Sequence, residues 1–113
     1  MPNFARCEFA WVSPRMKKPA RIFTYSIHKH NADAGKVHPT QKPVFLYRWV
    51  LENYANPGDR ILDTHMGSGS IAIACHYRGH PLTACEIDAD YYAAAVERIQ
   101  RETRQLSLFT DND

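Results

Sequence analysis

The sequence predicts an α/β fold in a single domain, and three observations predict it. Arg60-Ile-Leu-Asp-Thr-His65 is a short stretch around the apolar pair Ile61-Leu62 that runs into Gly67-Ser-Gly69 and then into a helical run ending at Arg78. Pro81-Leu-Thr-Ala-Cys-Glu-Ile87 has strand character again, and a second helical run follows from Asp88. From Arg60 onward the order is strand, helix, strand, helix, and sequential strands joined by a helix pair in parallel through a right-handed crossover. Parallel strands are therefore expected over 60–65 and 81–87, in one unit covering 1–113.

Composition sets the outer limits. A chain of 113 residues with 44% hydrophobic and 23% charged residues has the make-up of one soluble globular domain. No apolar run approaches the roughly 20 residues of a membrane span. The N-terminus, Met1-Pro-Asn-Phe-Ala-Arg6, lacks the apolar core of a signal peptide, so a cytoplasmic location is expected. Three cysteines (Cys7, Cys75, Cys85) without Cys-x-x-Cys spacing argue against a disulfide framework or a zinc site. Cys75 and Cys85 are expected on the buried faces of a helix and a strand. His28 and His30 flank Lys29 with no acid nearby, the make-up of a solvated loop, and no metal is expected.

The net charge of +2 hides an asymmetry. Residues 1–42 carry eight Lys/Arg against Glu8 and Asp33, a net of +6, whereas residues 43–113 carry six against ten acids, a net of −4. Arg15, Lys17, Lys18 and Arg21 lie close to Phe23 and Tyr25, a mixture that suits a polyanion such as DNA. A solvated basic hairpin explains the same residues.

Taken in order, Glu8 to Ser13 and Arg21 to Ile27 are rich in aromatic and β-branched residues, and Pro14 to Ala20 between them holds two prolines and three cations. This predicts an N-terminal strand pair within 1–30. His28 to Val37 has no periodicity and reads as a loop. After His38-Pro-Thr-Gln-Lys-Pro43, apolar residues at Leu46, Trp49, Val50 and Tyr54 mark one helix face, with Pro43 at its entry. Asn56-Pro-Gly-Asp59 has Pro and Gly at the centre of a type II turn and ends that helix. Gly79 closes the helix that follows the Gly67 turn. Asp88 or Asp90 caps the last helix, with Tyr92, Ala95, Val96 and Ile99 inside and Glu97, Arg98, Arg101 and Glu102 outside.

The chemistry concentrates at Gly67-Ser-Gly69-Ser-Ile-Ala72, which fits Gly-x-Gly-x-x-Gly/Ala. Glu86 follows Gly67 by 19 positions at the tip of the next strand, where an acid accepts hydrogen bonds from ribose hydroxyls. An adenosine-containing ligand is implied. These residues alone leave open which one, and a nicotinamide-dependent oxidoreductase uses the same pattern.

His38-Pro-Thr-Gln-Lys-Pro43 before a helix, then Leu62-Asp63, Gly67-Ser-Gly-Ser70 and Glu86-Ile-Asp88, resembles the DNA amino-methyltransferases that act on adenine N6 or cytosine N4. The order is that of the family's permuted group, and residues 38–104 are covered well. The resemblance implies a Rossmann-like methyltransferase fold, in part, with S-adenosylmethionine as cofactor. Adenine is favoured over cytosine as the target. It further implies that Thr40 and Lys42 hold the cofactor's carboxylate, Asp63 faces its positive methionine end and Glu86 takes the ribose hydroxyls. His38, Gln41, Thr64, His65, Ser68, Ser70 and Ile87 fall within the same motifs, and the Gly67 to Gly69 backbone lies against the cofactor.

Two departures from the family pattern bear on function. Where the family has Asp-Pro-Phe, this chain has Asp63-Thr-His65, a polar replacement beside the cofactor. The family's catalytic tetrapeptide, (Asp/Asn/Ser)-Pro-Pro-(Tyr/Phe/Trp), does not occur, and there is no Pro-Pro pair. In the permuted order it would precede residue 1, so the chain is expected to be a C-terminal part of a longer enzyme, inert by itself and with no catalytic residue of its own. A non-catalytic module binding cofactor or DNA beside a partner subunit is the other reading.

The tail, 105–113, contains Gln105-Leu-Ser-Leu-Phe109, which resembles the short peptide by which bacterial proteins dock on the DNA polymerase sliding clamp. Gln105, Leu106, Leu108 and Phe109 would make that contact. A strand edge left without its neighbour also suggests a homodimer.

Overall fold

The computed structural model describes residues 9–24 and 41–110, and for 105–110 the backbone alone. Among the described residues three helices and two strands alternate: α1 (Val44–Tyr54), β1 (Ile61–Asp63), α2 (Ser70–Arg78), β2 (Leu82–Ala84) and α3 (Ala89–Thr110). The strands pair in parallel, with Ile61 opposite Leu82, Leu62 opposite Thr83 and Asp63 opposite Ala84. Hydrogen bonds from Ile61 N to Pro81 O (2.9 Å), Cys85 N to Asp63 O (2.9 Å) and Met66 N to Cys85 O (2.8 Å) prolong the ladder at both ends. The α/β order read from the sequence is thus the order of the fold.

The turns form where their residues allow. Gly58 has φ 80° and Asp59 N donates to Asn56 O at 3.1 Å, closing the turn after α1. Gly79 ends α2 in the left-handed region at φ 77°, and both its N–H and that of His80 reach Cys75 O. Such an end satisfies carbonyls that the last helical turn leaves without partners.

Leu51, Met66, Ile71, Ala74, Cys75 and Ala95 form the core, flanked by Val44, Tyr47, Ile61, Leu82, Ala84 and Ile99. α1 and α3 both pack against α2. Among the described residues Ile73, at 1% exposure, is the largest fully buried side chain, and burying an isoleucine stabilises a fold by about 1.5–3 kcal/mol. On β1 and β2 burial alternates, so Ile61 and Leu82 turn to the core while Leu62 is 68% exposed. No described helix is long and apolar enough to cross a membrane.

Five expectations change. No strand pair forms among residues 9–24, which hold one 3-10 turn at Pro14–Met16 and extended chain; the remainder of 1–30 lies outside the described residues. A two-stranded ribbon is marginal without further strands or a helix beneath it, and here Phe9, Trp11 and Ile22 are exposed. The segment is tied to α1 instead, through Phe23 against Trp49 (5.3 Å between ring centres) and the Tyr54 hydroxyl donating to Pro19 O (3.2 Å). This also shifts the buried face of α1. Val44, Tyr47 and Leu51 meet the core, while Trp49 and Tyr54 hold the N-terminal segment and Val50 is exposed.

On α3, Tyr92 is exposed and Arg98 buried, the reverse of expectation, because Arg98 finds polar partners inside. Cys85 is exposed, since it follows Ala84 by one residue and side chains alternate along a strand. α3 also continues through Thr110, beyond the point at residue 105 where a tail was expected to begin.

Candidate functional site

A cleft of about 330 Å³ opens where β1 and β2 end, the edge at which open α/β sheets receive ligands. Gln41, Lys42, His65, Met66, Gly67, Ser68 and Glu86 line it. Three separate stretches therefore meet: the entry to α1, the turn after β1 and the tip of β2.

Glu86 organises the turn. Its Oε1 accepts the Gly67 N–H at 2.8 Å and its Oε2 accepts the Asp88 N–H at 3.0 Å. Asp88 in turn accepts the Tyr91 N–H at 2.9 Å through Oδ1, the N-cap that starts α3. The Gly67 N–H is thus committed to the carboxylate.

The two glycines serve different neighbours. Gly67, at φ 58°, brings backbone to the cleft wall. Gly69, at φ 86°, is pressed against α3: a Cβ there would lie 2.9 Å from Ile99 Cδ1 and 3.4 Å from Ala95 Cβ. Its glycine is needed for helix packing.

The remaining predicted residues divide. Gln41 is buried and Lys42 half-buried at the cleft, and His65 is exposed there with its Nδ1 2.8 Å from Thr64 Oγ1. Asp63 does not line the cleft; its Oδ1 accepts the His65 N–H at 2.9 Å and so shapes the turn. Thr64, Gly69 and Ser70 also lie off the lining, and Ile87 is 98% exposed. Ser70 is buried beneath the site, its hydroxyl donating to Lys42 O at 2.8 Å. His38 and Thr40 lie outside the described residues, as do His28 and His30.

Sequence reading missed two residues. Met66 is buried and lines the cleft, and its place between the strand end and Gly67 was the available signal. Arg98 is 2% exposed, and its guanidinium donates to Ser70 Oγ at 2.8 Å and to Ser68 O and Oγ, both at 3.3 Å. Nothing in the helical pattern of α3 distinguishes it from Arg101.

The model of the N6/N4 DNA methylase family matches residues 5–97. Type II methyltransferase M.HpaI of Haemophilus parainfluenzae is 33% identical over 78% of this chain, and DNA adenine methyltransferase YhdJ of Escherichia coli (strain K12) is 31% identical over 74%. The chain spans 28% of the length of each. Among solved structures, the M1.HpyAVI–SAM complex is similar with a TM-score of 0.54 and 34% identity, over 56% of this chain and 32% of that one. The chain belongs to the DNA methylase family.

Proposed function

We propose that this chain is the S-adenosylmethionine-binding part of a DNA methyltransferase that modifies an exocyclic amine, adenine N6 ahead of cytosine N4. The observation that carries the reading is Glu86, a carboxylate at the end of β2 bonded to the glycine turn and lining a cleft with Lys42. The donor set suits the ligand. Lys42 offers a cation to its carboxylate, Glu86 offers acceptors to the ribose hydroxyls, and Met66 gives an apolar patch. Thr40 and His38 belong to the same group by sequence. The similar M1.HpyAVI structure is a SAM complex, and YhdJ is named for adenine.

When bound, the cofactor supplies an electrophilic methyl group on sulfur. The chain's residues bind and orient it, with Glu86 and Lys42 fixing its two ends and the Gly67 turn setting how closely backbone approaches. Transfer also requires acceptors for the hydrogens of the target amine and a ring to stack on the extruded base. The family's tetrapeptide does both, and this chain contains no Pro-Pro pair. Binding without transfer is the expected behaviour of the isolated chain. Family membership weighs against the nicotinamide alternative.

Calorimetric titration tests the reading. Saturable binding of S-adenosylmethionine with no response to NAD is expected, and the reverse would overturn it. DNA as the partner and a cytoplasmic location belong to the same proposal. So do a homodimer through the open strand edges, tested by sedimentation, and clamp docking through Gln105, Leu106, Leu108 and Phe109. For the latter, binding to a bacterial clamp that survives Leu108→Ala and Phe109→Ala would count against it.

A further inference from the structure

We infer that Arg98 is the positioning residue of the cofactor cleft, acting on two of its walls from a helix that contributes nothing to the lining. The inference rests on the cofactor reading above.

The geometry is unusual for a surface helix. Arg98 sits on α3 among charged neighbours, yet it is 2% exposed. Burying a guanidinium is costly unless its charge and donors are matched. The charge is balanced locally by Glu102, one helical turn on, whose Oε1 lies 3.4 Å from Nε in an ion pair that leaves Nε without a hydrogen bond. One terminal nitrogen reaches Ser70 Oγ at 2.8 Å and Ser68 O and Oγ at 3.3 Å each.

These acceptors lie at the site and just beneath it. Ser68 lines the cleft, and Ser70 passes the restraint on by donating its own hydroxyl to Lys42 O at 2.8 Å. The glycine turn and the Lys42 segment are thereby fixed to one guanidinium. Gly69 lies between the two serines and packs on Ile99 and Ala95 of the same helix. A rigid, planar donor suits this task, because its hydrogen-bond directions are set once the side chain is seated. Ligand-binding groups held by such supporting bonds retain affinity that looser ones lose.

The test uses the whole chain and four variants: Arg98→Met, Arg98→Lys, Ser70→Ala and the double variant Arg98→Met/Ser70→Ala. Affinity for S-adenosylmethionine is measured by calorimetry and folding by far-ultraviolet circular dichroism. Arg98→Met is expected to weaken binding about tenfold, with Arg98→Lys recovering part of the loss. The double variant should bind no more weakly than Arg98→Met, because both changes cut one chain of contacts. Ser70→Ala removes only a hydroxyl and keeps the test open should Arg98→Met fail to fold; it should weaken binding about threefold. Affinities unchanged in Ser70→Ala and Arg98→Lys, or additive losses in the double variant, would overturn the inference. Failure of the unaltered chain to bind would instead remove the cofactor reading.

Discussion

Glu86 Oε1 and the Gly67 N–H, 19 residues apart in sequence, meet at 2.8 Å. The acid that the sequence assigns to a ligand is also the strut of the glycine turn that lines the cleft. Glu86→Ala would leave the N–H groups of Gly67 and Asp88 without this acceptor, a loss of about 2 kcal/mol. Glu86→Gln keeps one carbonyl oxygen and should lose about half as much. Urea unfolding measures both, and equal midpoints for Glu86→Ala and the unaltered chain would contradict the role.

Gly69 and Gly58 allow a controlled comparison. Both have φ above 80° or at it, but a Cβ at Gly58 meets nothing within 4 Å whereas one at Gly69 meets Ile99 at 2.9 Å. Gly58→Ala should cost about 1 kcal/mol for backbone strain alone. Gly69→Ala adds the displacement of Ile99 and should cost about 2–3 kcal/mol. Thermal melting of the two variants checks the order.

Cys75 gives the fold an alkaline sensitivity. Burial, and after it the nearby Asp63 carboxylate, pushes its thiol above the ordinary value. The folded chain therefore keeps this proton where the unfolded chain, titrating near about pH 8.5, releases it. The contribution to stability is complete below that pH and is lost as pH rises toward the folded value. Cys75→Ala should lower stability at neutral pH but flatten its fall above about pH 8.5, as read from melting temperatures across a pH series.

Two side chains of α1 hold residues 9–24, the Trp49 ring against Phe23 and the Tyr54 hydroxyl donating to Pro19 O. Limited trypsin digestion at Arg15, Lys17 and Arg21 should be several-fold faster in Trp49→Ala/Tyr54→Phe, with the fragment beginning near Gln41 resisting as before. Unchanged cleavage rates would contradict this attachment.

The parts legible in the sequence were those with local causes. Gly58 and Gly79 had to sit at positive φ, and Glu86 stood one strand and one helix from Gly67; backbone geometry left few alternatives. Arg98 was not legible, because its burial depends on Ser68 and Ser70, which reach it only after the helix packs. The face of α1 was misread for a related reason. Trp49 and Tyr54 are as apolar as a core residue, but their partner is the N-terminal segment. The strand pair failed where pattern alone was asked to stand without a layer beneath it.

The ties between α3 and the entry to α1 have a consequence for how the chain acquires its shape. Arg98 reaches Ser70 across 28 residues, and Ser70 reaches Lys42 across another 28. Contacts so distant in sequence form late, since loop closure must be completed before they contribute. On a ribosome, α1, β1 and α2 emerge before the residue that locks them together. The cleft is thus assembled after most of its walls have been synthesised, and a chain halted before α3 would hold the right residues in the wrong places.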